Sequence, residues 1–288
     1  MMLQIISLIA YIIFAPIFGG LLAGVDRKIT ARMQGRTGPP IIQPFYDVLK
    51  LFSKEALVVN YVQNLFVFGY FVFTIFAGCL FFYGGDLLLV FFAITLAEIF
   101  LIMCASSANS AYSSMGAQRE LLQMMAYEPM ILIVAIGFYI SSGSFAIKDI
   151  ITSKISAITF TPGIFLGFLF ILTIKLRKSP FDLSTSHHAH QEMVKGLTVE
   201  LSGRILALTE IAHWYENAFL IGVLAIFIIN STWWSWIVAL VVCAIAYFIE
   251  ILIDNTYARV KWKVLLNSSW IVAFVFGILN LLALSYIK

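Results

Sequence analysis

The sequence is short of charge. Only 11% of its 288 residues are Asp, Glu, Lys or Arg, against 61% that are hydrophobic, and the mean hydropathy is +0.97. A water-soluble domain carries roughly a quarter charged residues, so this chain cannot cover itself for water and reads as a polytopic membrane protein. No stretch is both long and polar enough for a separate soluble domain, and residues 1–288 are expected to form a single membrane domain. Cysteine is equally scarce: Cys79, Cys104 and Cys243 stand alone, each inside an apolar run. That excludes a C-x-x-C pair for zinc or an iron–sulfur cluster and any disulfide framework. A glycine-rich phosphate loop is absent too. Redox metals, if redox chemistry is involved, are expected on another chain, and this one is expected to hold no cofactor and no metal. The first apolar run lacks a cationic leader and an A-x-A cleavage site, so it reads as a membrane helix and not a signal peptide.

What is present is a series of long apolar runs. A helix needs about 20 apolar residues to cross the hydrocarbon core, and unpaired backbone groups cannot be left in lipid. The expectation is an all-α integral membrane protein with about eight transmembrane helices, near 3–25, 64–83, 87–105, 121–141, 163–177, 200–229, 233–253 and 264–286. Fifteen of the 18 Lys and Arg residues then fall on one side, in loops 26–63, 106–120, 175–199 and 254–263 with the adjoining Arg204. The other side keeps Lys148, Lys154 and Lys288. By the positive-inside rule the long polar loops face the cytoplasm and both termini face outward. The net charge of +3 reflects this asymmetry and implies no nucleic-acid partner. After Pro44, Phe45, Val48, Leu49, Phe52 and Ala56 recur at helical spacing. They predict a cytoplasmic amphipathic helix along the membrane surface, either a plain anchor or one wall of a pocket.

Acids at membrane depth are costly, about 2.5–3.5 kcal/mol each at a helix centre, so each asks for a reason. Glu98 sits inside the third run and Glu128 at the mouth of the fourth. Glu210, His213 and Glu216 follow at i+3 steps along the sixth, a slowly turning stripe that suits a proton path or a polar helix–helix contact. Glu200 and Arg204 read as a neutralising i,i+4 pair, and Glu250 and Asp254 as interface-level charges closing the seventh run. The loop "RKSPFDLSTSHHAHQEMVKGLTVELSG" (Arg177–Gly203) brings His187, His188 and His190 close to Glu192. It admits three readings: a metal site, proton entry through imidazole, or a docking surface for a cytoplasmic partner.

The polar segments together resemble one family. "DRKITARMQGRTGPPIIQPFYDVLKLFSKE" is similar to the first cytoplasmic loop of the complex I membrane protein that contacts the peripheral arm, the NADH dehydrogenase subunit 1 family. "GAQRELLQMMAYEPM", "SPFDL" followed by "VELSG", and "KWKVLLNSSW" resemble further segments of that family, in order. Arg27, Gln34, Arg36, Gly38, Pro39 and Asp47 match the first loop. Arg119, Gln123, Tyr127 and Glu128 match the second. Asp182, Glu192 and Glu200 match the third, with an insertion of about three residues placed before Glu192. The corresponding loop in complex I is acidic, whereas "STSHHAHQEMVKG" and the later "EIAHWYE" resemble the membrane subunit of energy-converting nickel-iron hydrogenases.

That resemblance implies a cytoplasmic arm of hydrogenase large and small subunits with an iron–sulfur subunit, taking electrons from ferredoxin and evolving hydrogen, beside an antiporter-like membrane subunit. It implies docking by Arg27, Arg36, Asp47, Arg119, His187, His188 and His190. Ion coupling would run through Glu98, Glu128, Asp182, Glu192, Glu200, Glu210, His213 and Glu216. The nickel-iron centre and the iron–sulfur clusters would sit on the partners. A quinone-site subunit of a complex I-type NADH:quinone oxidoreductase shares the fold and is the alternative. A stand-alone secondary transporter needs inverted repeats, and no internal repeat is found.

Overall fold

A computed structural model describes residues 2–55, 60–178, 180–184 and 193–287. The described chain is helical: α1 (Met2–Met33), α2 (Gln43–Ser53), α3 (Tyr61–Tyr83), α4 (Leu87–Ser106), α5 (Ala111–Ser142), α6 (Ile147–Thr152), α7 (Pro162–Lys175), α8 (Gly203–Ile226), α9 (Trp233–Thr256), α10 (Trp262–Val272) and α11 (Leu279–Ile287). A π-helical turn, Ala273–Ile278, carries α10 into α11 without a break. Extended pairing among the described residues is limited to the bridges Asp86–Ala146 and Phe181–Val260.

Among the described residues, six helices are long and apolar enough to cross a membrane: α1, α3, α4, α5, α9 and the α10–α11 run. The protein is an all-helical, multi-pass membrane protein. The two further spans expected from the sequence differ in kind. Helix α7 has 14 residues, about 21 Å at 1.5 Å per residue, against a hydrocarbon core of about 30 Å. Helix α8 has the length, 24 residues, but carries Arg204, Glu210, His213 and Glu216. Two loop boundaries also move. Helix α1 continues to Met33, taking Arg27 and Arg32 with it, and α5 begins at Ala111, so Arg119 is helical.

The chain forms two compact units. The first comprises Met1–Tyr83, Phe92–Leu121 and Leu183–Phe219. Its packing solves a backbone problem in α1. Pro16 has no N–H to bond the carbonyl four residues earlier, and an unpaired carbonyl is costly at this depth. The orphan is Ile12 O, and the Tyr215 hydroxyl donates to it at 2.7 Å. Tyr11 and Ala15 pack against Tyr215 and Ala218 in the same cluster. Helix α2 seats Val48 on Ala207 and Trp214, with the Phe45 and Trp214 rings 5.1 Å apart. Tyr46, Leu49 and Phe52 remain exposed. The expected oily face is therefore divided, because only its Val48 edge meets protein; Ala56 lies outside the described residues.

The second unit comprises Gly84–Phe91, Leu122–Asp182 and Leu220–Lys288. Asp86 caps α4, accepting from the backbone N–H of Leu88 and Leu89 at 2.9 and 3.3 Å, as a short acidic side chain at an N-cap does. Phe227 is the hub of the core, 4.5 Å from Phe138 and 5.7 Å from Phe168 between ring centroids. Helix α9 is inside-out by the standards of a water-soluble helix. Ser235, Ala239, Cys243, Ala246, Tyr247 and Glu250 are buried, while Leu240, Val241, Ile245, Phe248 and Ile249 are exposed. Small and polar residues inside with bulky apolar ones outside is the pattern of a helix solvated by lipid.

Candidate functional site

The first unit holds a buried polar triangle. The i,i+3 spacing on α8 puts His213 and Glu216 on one face, with His213 Nδ1 3.4 Å from Glu216 Oε2. Tyr70 of α3 meets both. Its hydroxyl lies 2.8 Å from His213 Nδ1 and 3.3 Å from Glu216 Oε2. Tyr70 is 1% exposed and Glu216 5%. A phenol has one hydrogen and two acceptor sites, so it donates to one neighbour at a time and can accept from the imidazole when the tautomer changes. Three groups that each carry or release a proton thus share one short set of hydrogen bonds, as a relay requires.

Nearby residues of the unit anchor the chain on both sides of the histidine loop. Glu120, buried on α5, accepts a hydrogen bond from Ser184. The Tyr112 hydroxyl donates to Val194 O at 3.1 Å and accepts from Val194 N–H at 2.7 Å. Gly116 and Gly196 let the two backbones touch: a Cβ on Gly116 would lie 2.6 Å from the carbonyl carbon of Gly196. On the exposed flank the Arg27 guanidinium donates to Asp47 Oδ2 at 2.6 Å. Burial pushes the Asp47 carboxyl up. Hydrogen bonds from Arg27 and Gln43 and the charges of Arg27 and Lys50 outweigh it, and the group is held below its ordinary value.

The second unit holds a buried charged cluster, positioned by a backbone reversal. Helix α7 ends with Arg177 at φ 57°, a left-handed conformation that costs a non-glycine residue about 1–2 kcal/mol. The N–H groups of Arg177 and Lys178 return to Ile174 O and Thr173 O, both at 3.0 Å, closing a Schellman motif. The reversal delivers Lys178 into the interior, 3% exposed. There its ammonium lies 4.0 Å from Asp254 Oδ2 and 5.6 Å from the Tyr247 ring centroid. The chain then runs beside the segment after α9: Val260 N–H donates to Pro180 O at 2.6 Å and Asp182 N–H to Val260 O at 3.1 Å. Arg259 donates to Asp182 Oδ1 at 2.8 Å. Lys175 sits over the Tyr127 ring, 4.2 Å from its centroid.

The expected site residues therefore separate. His213 and Glu216 are brought together. Glu210 is half-buried on the same helix, outside the triangle, and Glu98 is buried on α4. Glu200 precedes the first turn of α8, so its helical spacing to Arg204 is not realised. Glu128 is half-buried before Pro129. Asp182 is buried but bound to Arg259, a structural tie and not an open acid. Of the docking residues, Arg27 and Asp47 pair with one another, Arg36 donates to Gln34, and Arg119 is half-buried on α5. His187, His188, His190 and Glu192 lie outside the described residues. Sequence reasoning missed Tyr70, Glu120, Lys178 and Arg259, and misread Glu250, which is 2% exposed and not at an interface. Tyr70 sends no signal in a run rich in aromatics. Lys178, next to the matched "SPFDL", could have been flagged as a charge needing a partner.

A family model described as NADH dehydrogenase matches residues 5–285 of this chain. A membrane protein of the NADH-quinone oxidoreductase of Paramagnetospirillum magneticum is 26% identical to it, with 96% of this chain and 88% of that protein covered. The corresponding protein of Geobacillus kaustophilus is 27% identical, with 98% and 92% covered. Among solved structures, a chain of the membrane-bound sulfane sulfur reductase, an archaeal respiratory membrane complex, matches with a TM-score of 0.79. It covers 96% of this chain and 99% of that one at 24% identity, a likeness of fold.

Proposed function

The chain belongs to the NADH dehydrogenase family, and from that premise we propose that it is the membrane-anchor and ion-coupling subunit of a multisubunit energy-converting hydrogenase. It is a membrane subunit of a complex I-like respiratory complex; the hydrogenase assignment is the finer step. Ion coupling is carried by one observation, the Tyr70–His213–Glu216 triangle, in which proton-exchanging groups meet away from water. The hydrogenase arm is supported by "STSHHAHQEMVKG", where histidines stand in place of the acids of complex I. In this reading the large, small and iron–sulfur subunits dock on the loops that carry Arg27, Arg36, Asp47, Arg119 and the histidines. They bring the nickel-iron centre and the clusters, and electrons from ferredoxin end in hydrogen as protons or sodium ions cross beside an antiporter-like subunit. Helices α7 and α8 complete eight crossings, α2 lies along the membrane surface with Tyr46, Leu49 and Phe52 in lipid, the polar loops are cytoplasmic and both termini are outside.

The names of the relatives favour a second reading, the quinone-site subunit of a complex I-type NADH:quinone oxidoreductase. One experiment separates the two. The complex is purified from native membranes through a tag on this chain, then assayed for nickel, for hydrogen evolution from reduced ferredoxin and for NADH:quinone activity. Nickel with hydrogen evolution supports the first reading. Quinone reduction without nickel supports the second and overturns the first.

A further inference from the structure

Helix α9 carries a buried acid that the coupling set above does not use. Glu250 is 2% exposed, and its Oε2 has no hydrogen-bond partner among the described residues. Tyr247, Glu250 and Asp254 share a face of α9, being three, then four, residues apart. Lys178 comes onto that face from the segment after α7, touching Asp254 at one end and the Tyr247 ring at the other. Glu250 lies on the turn between them, and the charges acting on it are those of Lys178 and Asp254. The other cations of this region are engaged elsewhere, Arg259 with Asp182 and Lys175 with the Tyr127 ring.

The charge count is uneven: two carboxyls face one ammonium. Leaving a carboxylate unpaired in an apolar interior costs several kcal/mol, and such a group neutralises instead. The site therefore holds one proton besides those of Lys178. We propose that Glu250 is a proton-loading site, a neutral carboxylic acid while Lys178 pairs with Asp254 and a carboxylate when the ammonium moves across to it. The step balances: the O–H bond of Glu250 breaks, its proton leaves to a neighbouring acceptor such as water or Asp254, and the lysine charge replaces it. The Schellman turn at Arg177 holds Lys178 over the α9 face, so a shift of that turn would move the ammonium between the two acids. Ion pumping by this site rests on the coupling reading above; the protonation of Glu250 does not.

The test is infrared spectroscopy of the intact purified complex at neutral pH, reading the C=O stretch of protonated carboxyls. Glu250→Gln should remove one such band. Asp254→Asn leaves Glu250 as the sole anion for Lys178 and should also remove the band, an effect that mere packing at Glu250 would not produce. Both variants should keep electron transfer while transporting fewer ions per electron pair. A band unchanged in both variants overturns the proposal. Native pumping by Glu250→Gln while Glu216→Gln is impaired would overturn its role in transport and leave the coupling reading standing. Absence of ion transport by the unmodified complex would sink that reading instead, with the band still deciding the protonation.

Discussion

Replacing Tyr70 by Phe is the sharpest perturbation of the polar triangle, because it deletes one oxygen and leaves the ring. The ring is 5.7 Å from that of His213 between centroids, edge-on, and Phe retains that packing. What goes is the contact at 2.8 Å to His213 Nδ1 and that at 3.3 Å to Glu216 Oε2. The net value of one such bond is about 0.5–1.5 kcal/mol, and a buried acceptor left without its partner costs about 1–3 kcal/mol. Only 6% of the Glu216 side chain is accessible, so water does not replace the hydroxyl. The 3.4 Å His213–Glu216 contact can tighten and recover part of the loss. A destabilisation of about 1–3 kcal/mol lowers the midpoint of thermal unfolding by several degrees, at about 2–4 °C per kcal/mol for a chain somewhat smaller than this one. If protons pass through the hydroxyl, the same energy raised on the transfer barrier slows translocation by about 5- to 150-fold, a tenfold change for each 1.4 kcal/mol. The assay is proton uptake into proteoliposomes that hold the purified complex, alongside electron transfer measured with an uncoupler present. Translocation should fall while uncoupled electron transfer stays native. A Tyr70→Phe complex that pumps at the native rate and ratio would show that the triangle is a structural contact.

Three further outcomes follow from the packing. Tyr215→Phe leaves Ile12 O, orphaned by Pro16, without its donor; it should cost about 1–3 kcal/mol, read as a lower midpoint of thermal unfolding in detergent, with ion coupling unchanged. Gly116→Ala drives a Cβ to within 2.6 Å of the Gly196 backbone. Overpacking of that kind costs about 1–3 kcal/mol, and displacement of residues 193–202 should weaken retention of the peripheral subunits in pull-down. Asp47 ionises more readily folded than unfolded, so its pairing with Arg27 is fully present above the ordinary carboxylate range. It is lost as pH falls through the lower folded value. Both partners are about half exposed, with 46% and 43% of their side chains accessible, so the effect is at most about 1 kcal/mol. Acid titration of stability in wild type and Asp47→Asn should therefore differ slightly at neutral pH and converge at low pH.

Much of this protein was legible in one dimension. Scarcity of charge and the length of the apolar runs depend on composition alone, because a bilayer reads hydrophobicity along about 20 residues and asks nothing about partners. The helical class, the multi-pass character and the helix over Gln43–Ser53 follow from that. His213 and Glu216 were also legible, since three residues along one helix are neighbours whatever surrounds it. The order of the matched polar segments pointed to the family as well.

Relations between elements could not be read that way. Tyr70 and His213 are 143 residues apart, Asp182 and Arg259 are 77, and nothing local to either residue announces the other. Helix ends were missed where polar residues continue a helix beyond its apolar part, as at Arg27 and Arg119, because hydropathy marks the lipid boundary and not the last backbone hydrogen bond. Glu250 near the end of an apolar run looks the same in sequence whether it faces headgroups or the interior. Its burial was decided by the rotation of α9, which turns Leu240, Phe248 and Ile249 outward and the Tyr247–Glu250–Asp254 face toward Lys178. Composition and period determined that this chain is a set of membrane helices. Which of its few charges meet was decided only in three dimensions, because a buried charge is stable where the fold happens to bring its partner.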